Sequence, residues 1–287
     1  MQNKIIVAEA IFQALRHNPN IERYLTGSSV LFAYENAMKV AFNDNQRDPK
    51  EPGRDMKINS ENKVSKIIKQ TFSAQKKIVL NQLEEQRGNN NIVIDYQQVF
   101  GAWGNNQALI GIEFMESANN SIQMFGSGSG FQIDWTGANT EAAVWAGQHA
   151  GELIDDINST TQKAIQTSVE NFITQSGYTI GQVVQSLPFN DSRAWMIAVT
   201  EITRAYATAS LIAGQQAQAQ FPDLKFYKTW FTNEDEKVCP ICGSFSKMKV
   251  LLSENFVMEG EEISVESPPG HPNCRCWMTV RSEFGFQ

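Results

Sequence analysis

Four cysteines and one histidine near the C-terminus have the spacing of a metal-binding site. Cys239 and Cys242 flank a Pro-Ile dipeptide, and this Cys-x-x-Cys unit places two thiolates on one tight turn. All four cysteines of the chain lie in this C-terminal part. In a reducing compartment such clustering favours a metal over disulfides. The sequence therefore predicts a structural zinc ion, because four protein ligands leave no open position for water.

The second group of candidate ligands, His271, Cys274 and Cys276, offers three side chains where two would complete a tetrahedral site. A Cys-x-Cys unit in an extended strand directs both thiols to one face, which favours a four-cysteine site. The His-x-x-Cys unit repeats the two-residue gap of the first pair, which favours a histidine ligand. We expect Cys239, Cys242, His271 and Cys274 to bind the ion, with Cys276 as the substitute ligand. The alternative is a group of buried or disulfide-linked cysteines beside an ordinary surface histidine.

A lysine-rich face on a predicted helix is a second place where the chain could bind a ligand. Residues 60–87 have apolar side chains at three- and four-residue spacing, which predicts a long amphipathic helix. The same stretch carries Lys63, Lys66, Lys69, Lys76 and Lys77. Such a face can contact DNA phosphates or an acidic partner. The alternative is an ordinary solvated outer face of the helix.

The overall charge limits the partners that the whole molecule can attract. The 287 residues carry a formal net charge of −7 and the pI is near 5.1, so binding to a polyanion would need a local basic patch. Acidic residues crowd the region of the cysteines, which repels phosphate and suits contact with another protein. They are Glu234, Asp235, Glu236, Glu254, Glu259, Glu261, Glu262 and Glu266.

Targeting signals and catalytic signatures are missing from the sequence. No apolar stretch reaches the roughly 20 residues that a membrane span requires, and no secretory signal is evident, so we expect a soluble cytosolic protein. The three histidines, His17, His149 and His271, are far apart in the chain. The Gly-Ser run at 126–130 lacks the ending of a phosphate-binding loop and is predicted to be a flexible turn. We therefore do not expect an enzyme.

Helical periodicity predominates up to about residue 220, and short β-like runs follow it. The predicted helices cover Ile5–Phe42 (two helices), 60–87, Tyr96–Asn119, Thr140–Thr174, Thr179–Leu187 and 190–218, with a loop over Asn43–Lys57. The predicted strands are Lys225–Phe231, Lys249–Leu252 and Trp277–Val280. The expected fold is therefore mainly α, with long amphipathic helices and a small, zinc-stapled, β-rich C-terminal module.

Three regions follow from this reading. Residues 1–130 form a helical N-terminal region of unassigned type, residues 138–220 form a second helical region, and residues 224–287 form the β-rich module. On the last long helix, Glu201 and Arg204 are neighbours at i, i+3. With Arg193 they are expected to form a cap or ion pair that clamps this helix to the module. Asp235 is expected to form a turn.

Two motifs of the C-terminal half resemble a known family. The first is Trp230-x-Thr232-x-x-Asp235-x-x-Val238-Cys239-x-x-Cys242, followed by Pro268-Pro269-Gly270-His271-Pro272-Asn273-Cys274-Arg275-Cys276. The second is Arg193-Ala194-x-x-Ile197-Ala198-x-Thr200-Glu201, with Val199 where the family has arginine. Over residues 138–282 the chain is similar to the head morphogenesis proteins of tailed phages, the Mu F-like minor capsid family.

The resemblance implies a minor capsid protein that is made in the cytoplasm of the bacterial host and is located in the virion. It implies a position inside the head near the portal vertex, with the portal protein and other capsid components as partners. A role in procapsid assembly, and contact with phage DNA during packaging or ejection, are further implications. The alternative is a DNA-binding protein, or a toxin-like nuclease or transferase effector, that carries the same module.

Overall fold

Long helices precede a small antiparallel sheet in the computed structural model of the chain. The structure describes residues 47–89, 91–129, 133–175, 179–235, 238–258 and 263–284. The helices predicted within Ile5–Phe42 lie outside these residues. The helices are α1 (Arg54–Glu85), α2 (Tyr96–Gly101), α3 (Asn106–Ser129), α4 (Thr136–Thr174), α5 (Ile180–Ser186), α6 (Asp191–Gln220) and α7 (Pro240–Phe245). The strands are β1 (Phe226–Phe231), β2 (Lys249–Leu251), β3 (Phe256–Val257), β4 (Ser264–Val265) and β5 (Trp277–Ser282).

This architecture confirms the expected mainly α fold with a small sheet near the C-terminus. None of the helices in the described part of the chain combines the length and the apolar character that crossing a membrane requires.

The helix α1 begins earlier than its apolar periodicity indicates. The predicted loop over Asn43–Lys57 is wrong for its last residues, because α1 starts at Arg54. Lys57 in the first turn is only 5% exposed, and its Nζ lies 2.6 Å from Oε1 of Glu51. A buried ion pair therefore holds a polar stretch whose composition is typical of a solvated loop.

The main core forms where α1, α3, α4 and α6 bury their apolar faces against one another. Phe72 on α1 lies at its centre, with ring centroids 6.5 Å from Trp103 and 5.7 Å from Phe189. Phe114 on α3 and Ile165 on α4 have no exposed surface. The three- and four-residue spacing of the sequence thus correctly identifies the buried side of these helices.

The predicted helix Tyr96–Asn119 is divided in the structure. α2 ends at Gly101 and α3 begins at Asn106. Between them, Gly104 has a φ of +45°, a conformation that residues other than glycine rarely adopt. The prediction of one continuous helix was therefore wrong at this point.

The predicted flexible turn at 126–130 is also wrong for residues 126–129, because α3 continues to Ser129. A Cβ added at Gly126 would lie 3.1 Å from Nε1 of Trp135. The glycine thus allows the end of α3 to lie close to the residue that precedes α4. Packing overrides the low helix propensity of this stretch.

The helices α4, α5 and α6 follow the sequence prediction closely. Thr179 caps α5 through a capping box with Gln182, and the side chain of Asn190 caps α6 by accepting a hydrogen bond from the main-chain N–H of Arg193 at 2.8 Å. Val144 of α4 is 55% exposed. The buried side of α4 is formed at this point by Ala142, Ala146 and Ala150.

The sheet has the strand order β2-β1-β5, with β1 antiparallel to both neighbours. β3 and β4 form a separate antiparallel pair in which Phe256 lies opposite Val265. The helix α6 packs on the three-stranded sheet, and a Cβ added at Gly214 would lie 2.7 Å from Cγ1 of Val280. Ala209 and Ala213 on α6 are buried in one cluster with Ala118 of α3 and Ala142 of α4.

Candidate metal centre

The helix α7 positions the first two candidate ligands. Cys239 is its N-cap, and Sγ of Cys239 accepts a hydrogen bond from the main-chain N–H of Cys242 at 3.3 Å. Pro240 occupies the start of the helix, where a missing N–H costs no hydrogen bond. The Cys-Pro-x-Cys sequence therefore forms a tight turn that brings the two thiols towards a common neighbour.

That neighbour is His271, which precedes β5. Its Nε2 lies 3.2 Å from Sγ of Cys239 and 3.2 Å from Sγ of Cys242. Its Nδ1 lies 2.8 Å from the carbonyl oxygen of Pro272. A main-chain carbonyl beside one ring nitrogen is the arrangement that leaves the other nitrogen free to bind a metal.

The remaining two cysteines lie on the other side of Cys242. Sγ of Cys242 is 3.7 Å from Sγ of Cys274. The ligand atoms of Cys242, Cys274 and Cys276 all lie within 4.8 Å of one another, as do those of Cys239, Cys242 and His271. The structure therefore brings together all five predicted ligands, in two groups that share Cys242, and all four cysteines are free thiols.

The donor set fits a metal ion. Two sulfurs that bind one tetrahedral zinc at about 2.3 Å lie about 3.8 Å apart, close to the measured distance between Cys242 and Cys274. Cysteine and histidine are ligands that zinc and other soft or borderline cations accept. These Cys/His groups could therefore hold a metal ion. Both His271 and Cys276 lie near Cys242, so the geometry leaves both candidates for the last ligand in place.

Electrostatics already favours thiolates in this cluster. A hydrogen bond from Cys242 lowers the pKa of Cys239 to about 4, with a further contribution from His271. Burial opposes ionisation of Cys274, yet hydrogen bonds from Cys242 and Cys276 and the charge of His271 lower its pKa well below the usual value. Burial on its own would lower the pKa of His271, but the charges of Cys274 and Cys239 and the hydrogen bonds to Cys239 and Pro272 together outweigh it and raise this pKa to about 10. Two thiolates therefore face one positive charge, which a divalent cation can replace.

A small apolar core supports the cluster. Trp230, Phe245 and Phe256 are almost completely buried, and the Trp230 ring centroid lies 5.2 Å from each of the other two. The same cluster of buried side chains includes Cys242, Cys274 and Cys276. This core is much smaller than that of the helices, so the module has few apolar contacts of its own.

An ion pair fixes the segments on either side of the metal-ligand turn. A carboxylate oxygen of Asp235 lies 2.8 Å from Nη1 of Arg275, between Cys274 and Cys276. The main-chain N–H of Val238 donates a hydrogen bond to the carbonyl of Asp235, which is consistent with the expected turn. Asp235 thus joins the loop before α7 to the segment that carries the last ligands.

Two threonines of α6 hold the second ligand group. Oγ1 of Thr200 accepts a hydrogen bond from the main-chain N–H of Asn273 at 2.8 Å. Oγ1 of Thr203 donates one to the carbonyl of Cys274 at 3.3 Å. Sequence reasoning quoted Thr200 as part of a motif but assigned it no role, and it missed Thr203. The available signal for this pair was two threonine hydroxyls that lie three residues apart on the helix, on either side of Glu201.

The expected clamp between α6 and the β module does not involve Glu201 or Arg193. Oε2 of Glu201 lies 2.6 Å from Nε2 of His149 on α4 and 3.0 Å from Nε of Arg204. Arg193 donates to Oγ1 of Thr160 at 2.7 Å, also on α4. The ion pair between Glu201 and Arg204 is present, but these residues join two helices because they face α4 rather than the sheet.

A buried ionic network links the start of the described chain to the same part of α6. Arg47 pairs with Glu51, with Nη1 and Oε1 2.8 Å apart, and also with Glu61, and its Nη2 donates to Oγ1 of Thr203 at 2.9 Å. Main-chain N–H of Asp48 donates to Oδ1 of Asn233 at 2.7 Å. Sequence reasoning missed this network, because charged residues in a polar stretch carry no periodic signal of burial.

The five lysines of the candidate DNA-binding face do not share one environment. Nζ of Lys63 lies 3.1 Å from Glu113 and 3.3 Å from Glu116, and Nζ of Lys69 lies 3.2 Å from Asp191. Lys66, Lys76 and Lys77 form no ion pair with other described residues; Lys66 and Lys77 are exposed and Lys76 is half-buried. The free positive charge of α1 is therefore concentrated on these three side chains.

Comparison with known proteins identifies the family of the C-terminal half. Residues 138–279 match the model of the family described as phage Mu protein F like protein. This segment includes nearly all of α4, the whole of α6, the sheet up to the middle of β5, and all five candidate ligands. The match indicates a phage head morphogenesis protein, and proteins of that kind have other capsid components as partners and are components of the virion. No curated protein and no solved structure matches the chain.

Proposed function

We propose that the protein is a minor capsid protein that acts at the portal vertex, inside the phage head, during procapsid assembly. The premise is that residues 138–279 match the model of the phage Mu F-like family. The observation that carries the proposal is the pair of hydrogen bonds from Thr200 and Thr203 to the ligand loop. They join the two sequence motifs of the family into one rigid unit that a partner can recognise.

The proposed partner of this unit is a protein, namely a basic surface of a portal subunit. In the same β-rich part of the chain, Glu254 and Glu266 are exposed. Glu234 is partly neutralised by Lys247, whose Nζ lies 3.1 Å away. Exposed carboxylates repel phosphate and favour a positively charged protein surface, which supports a portal contact over DNA at this end of the molecule.

The proposed metal is a structural zinc ion. The candidate ligands are Cys239, Cys242, Cys274 and either His271 or Cys276. Four protein donors would leave no position for substrate or water. The ion would supply folding free energy to a module whose apolar core is small.

We infer a structural role rather than an enzymatic one. His149 is engaged with Glu201 between two helices, and His271 lies among the cysteines. The two histidines in the described part of the chain thus have structural partners. This arrangement supports an assembly protein over a nuclease or transferase effector.

Co-expression with the portal protein of the same phage tests the proposal. The two proteins should co-purify, and metal analysis of the same sample should give one zinc per chain. The matched variant Thr200→Val, which keeps all metal ligands, should retain zinc but bind the portal protein more weakly. Stoichiometric zinc in a chain that associates with neither portal nor capsid components would contradict the assembly role and leave the metal centre standing.

We propose as a second function that α1 contacts the phage DNA inside the head. Lys66, Lys76 and Lys77 carry its free positive charge, and each phosphate contact adds a salt-dependent contribution to binding. Reversal of these three lysines to glutamate should abolish salt-dependent DNA binding, whereas reversal of Lys63 and Lys69 should reduce it less because carboxylates already neutralise them. Unaltered DNA binding by both variants would discard this site.

A further inference from the structure

The strand β5 is an edge strand of the sheet. It pairs with β1 alone among the described strands. On its other side, β1 bonds to β2 and to the residues beside it: the N–H of Trp230 donates to the carbonyl of Met248, and the carbonyl of Phe226 accepts from the N–H of Leu252. The main-chain groups of Phe226 and Trp230 therefore point away from β5.

The register then identifies which groups of β5 face outwards. Phe226 lies opposite Ser282, Lys228 opposite Val280 and Trp230 opposite Met278. Main-chain bonding alternates between opposite residues of an antiparallel pair, so these three are the non-bonded pairs. The N–H and C=O groups of Met278, Val280 and Ser282 are therefore directed to the outer side of β5.

A groove follows this outer side. Its cavity volume is about 230 Å³, and it is lined by the whole of β5 together with residues from the start of α1, the end of α3 and the middle of α6. The contributions of the helices include Lys57, Met124, Phe125 and Tyr206. Trp277 also lines the groove and is 7% exposed, and its Nε1 has no hydrogen-bond partner in the described part of the chain. The groove thus combines apolar walls with main-chain and side-chain groups that need partners.

The opposite edge of the sheet, formed by β2, is protected against the addition of a strand. The strand β2 has only three residues and begins with the exposed Lys249, and both features protect natural sheet edges from pairing. The strand β5 has six residues and contains no proline and no lysine. A six-residue edge with Arg281 as its charged side chain is less protected than β2, and it is a site where another strand can add.

We propose that an extended segment of the portal protein adds to the outer edge of β5 as a further strand. The inference deepens the proposed function and rests on it. The main chain of the segment pairs with Met278, Val280 and Ser282, an apolar side chain enters the cavity, and an oxygen of the segment accepts from Nε1 of Trp277. The exposed Arg281 is the charged side chain of β5, and it selects a segment with an acidic residue opposite it.

Two proline variants separate this edge from the rest of the sheet. Ser282→Pro removes an outward N–H without removing a hydrogen bond to β1, which an edge strand tolerates. The matched control is Lys249→Pro on β2. Lys249 lies opposite Thr229, in a pair that is not hydrogen-bonded, so its N–H also points outwards. Both variants should keep the zinc content and the thermal unfolding temperature of the parent chain, which verifies that they fold.

The experiment measures amide hydrogen exchange of the full chain, alone and in complex with the portal protein of the same phage. In the complex, the amides of Met278, Val280 and Ser282 should exchange at least about tenfold more slowly than in the free chain. Ser282→Pro should weaken portal binding by about tenfold or more, and Lys249→Pro by less than about threefold.

The results that would overturn the proposal can be told apart. Portal binding with unchanged exchange of the three amides would overturn the edge proposal and leave the proposed function intact. Protection of these amides in the chain alone would overturn it too, and dependence of that protection on concentration would identify a second copy of the chain as the occupant. If no head component binds the chain, the proposed function and this inference fail together.

Discussion

The hydroxyl of Thr203 donates a hydrogen bond to the carbonyl oxygen of Cys274 across 3.3 Å. The same hydroxyl accepts a hydrogen bond from Nη2 of Arg47 at 2.9 Å. Thr203 is 2% exposed, so water cannot replace either partner. One buried hydroxyl therefore connects α6, the ligand loop and the start of the described chain.

Replacement of this hydroxyl should uncouple the ligand loop from the helices. Thr203→Val keeps the shape of the side chain but leaves a guanidinium donor and a carbonyl acceptor without their partner. The expected loss in the free energy of unfolding is about 1–3 kcal/mol, measured by urea denaturation. The control is Thr167→Val, whose exposed hydroxyl bonds only within α4, 3.1 Å from the carbonyl of Lys163. Equal stability of the two variants would contradict the coupling.

Removal of the metal should unfold the module and spare the helices. Stringent chelation takes away the free energy that the ion adds to a small core, whereas Phe72, Phe114 and Ile165 remain packed. Limited proteolysis should then cut rapidly after about residue 224, while the helical circular dichroism signal decreases little. Unchanged protease resistance of the module after complete loss of zinc would refute a structural ion.

Individual ligand variants should rank the five candidates. Cys242 belongs to both ligand groups, so Cys242→Ser should reduce metal affinity by at least about tenfold. We expect Cys276→Ser to retain one zinc per chain, because His271 lies 3.2 Å from both Cys239 and Cys242. Competition with a chromophoric chelator measures both values. Loss of zinc from Cys276→Ser but not from His271→Asn would reverse the assignment of the last ligand.

Much of the fold follows from the sequence because apolar spacing reports directly on burial. The buried side of α1 and the caps at Thr179 and Asn190 were predictable from local patterns. The burial of Arg47 was not, because its carboxylate partners and Thr203 meet it only in the folded chain. The helical course of residues 126–129 was hidden for the same reason, since it depends on the approach of Trp135.

The candidate site could likewise be predicted from the sequence only in part. Short spacings between Cys239 and Cys242, and between His271 and Cys274, were enough to select side chains that the fold brings together. The choice between His271 and Cys276 as the last ligand cannot be made from spacing. The structure keeps both possible, because both lie close to Cys242. The support from Thr200 was equally hidden, because Asn273 is distant from it in sequence.

The interaction between Glu201 and His149 should make stability depend on pH. Burial alone would raise the pKa of Glu201, but the hydrogen bond to His149 and the charge of Arg204 lower it below its usual value. A carboxyl with a lowered pKa stabilises the fold fully above its unfolded pKa of about 4.3, and this stabilisation is lost as pH falls through the folded pKa. In Glu201→Gln this part of the acid-induced loss should be absent.

Urea denaturation between pH 7 and about pH 3 measures this effect as the difference between parent and variant, in which the shared loss of metal cancels. Glu152→Gln is the matched control, since that carboxylate is exposed and lies 3.9 Å from His149. If the difference in the free energy of unfolding between the parent and Glu201→Gln is the same at every pH, Glu201 does not contribute to the pH dependence of stability.

The network around Arg47 also defines a mechanical path. Arg47 is 3% exposed and is held by two carboxylates and by Thr203, whose hydroxyl holds the Cys274 carbonyl in turn. A pulling force applied at Arg47 is therefore shared between α1, through Glu61, and α6, through Thr203. Through the Thr203 hydroxyl the same force reaches the loop of the last metal ligands.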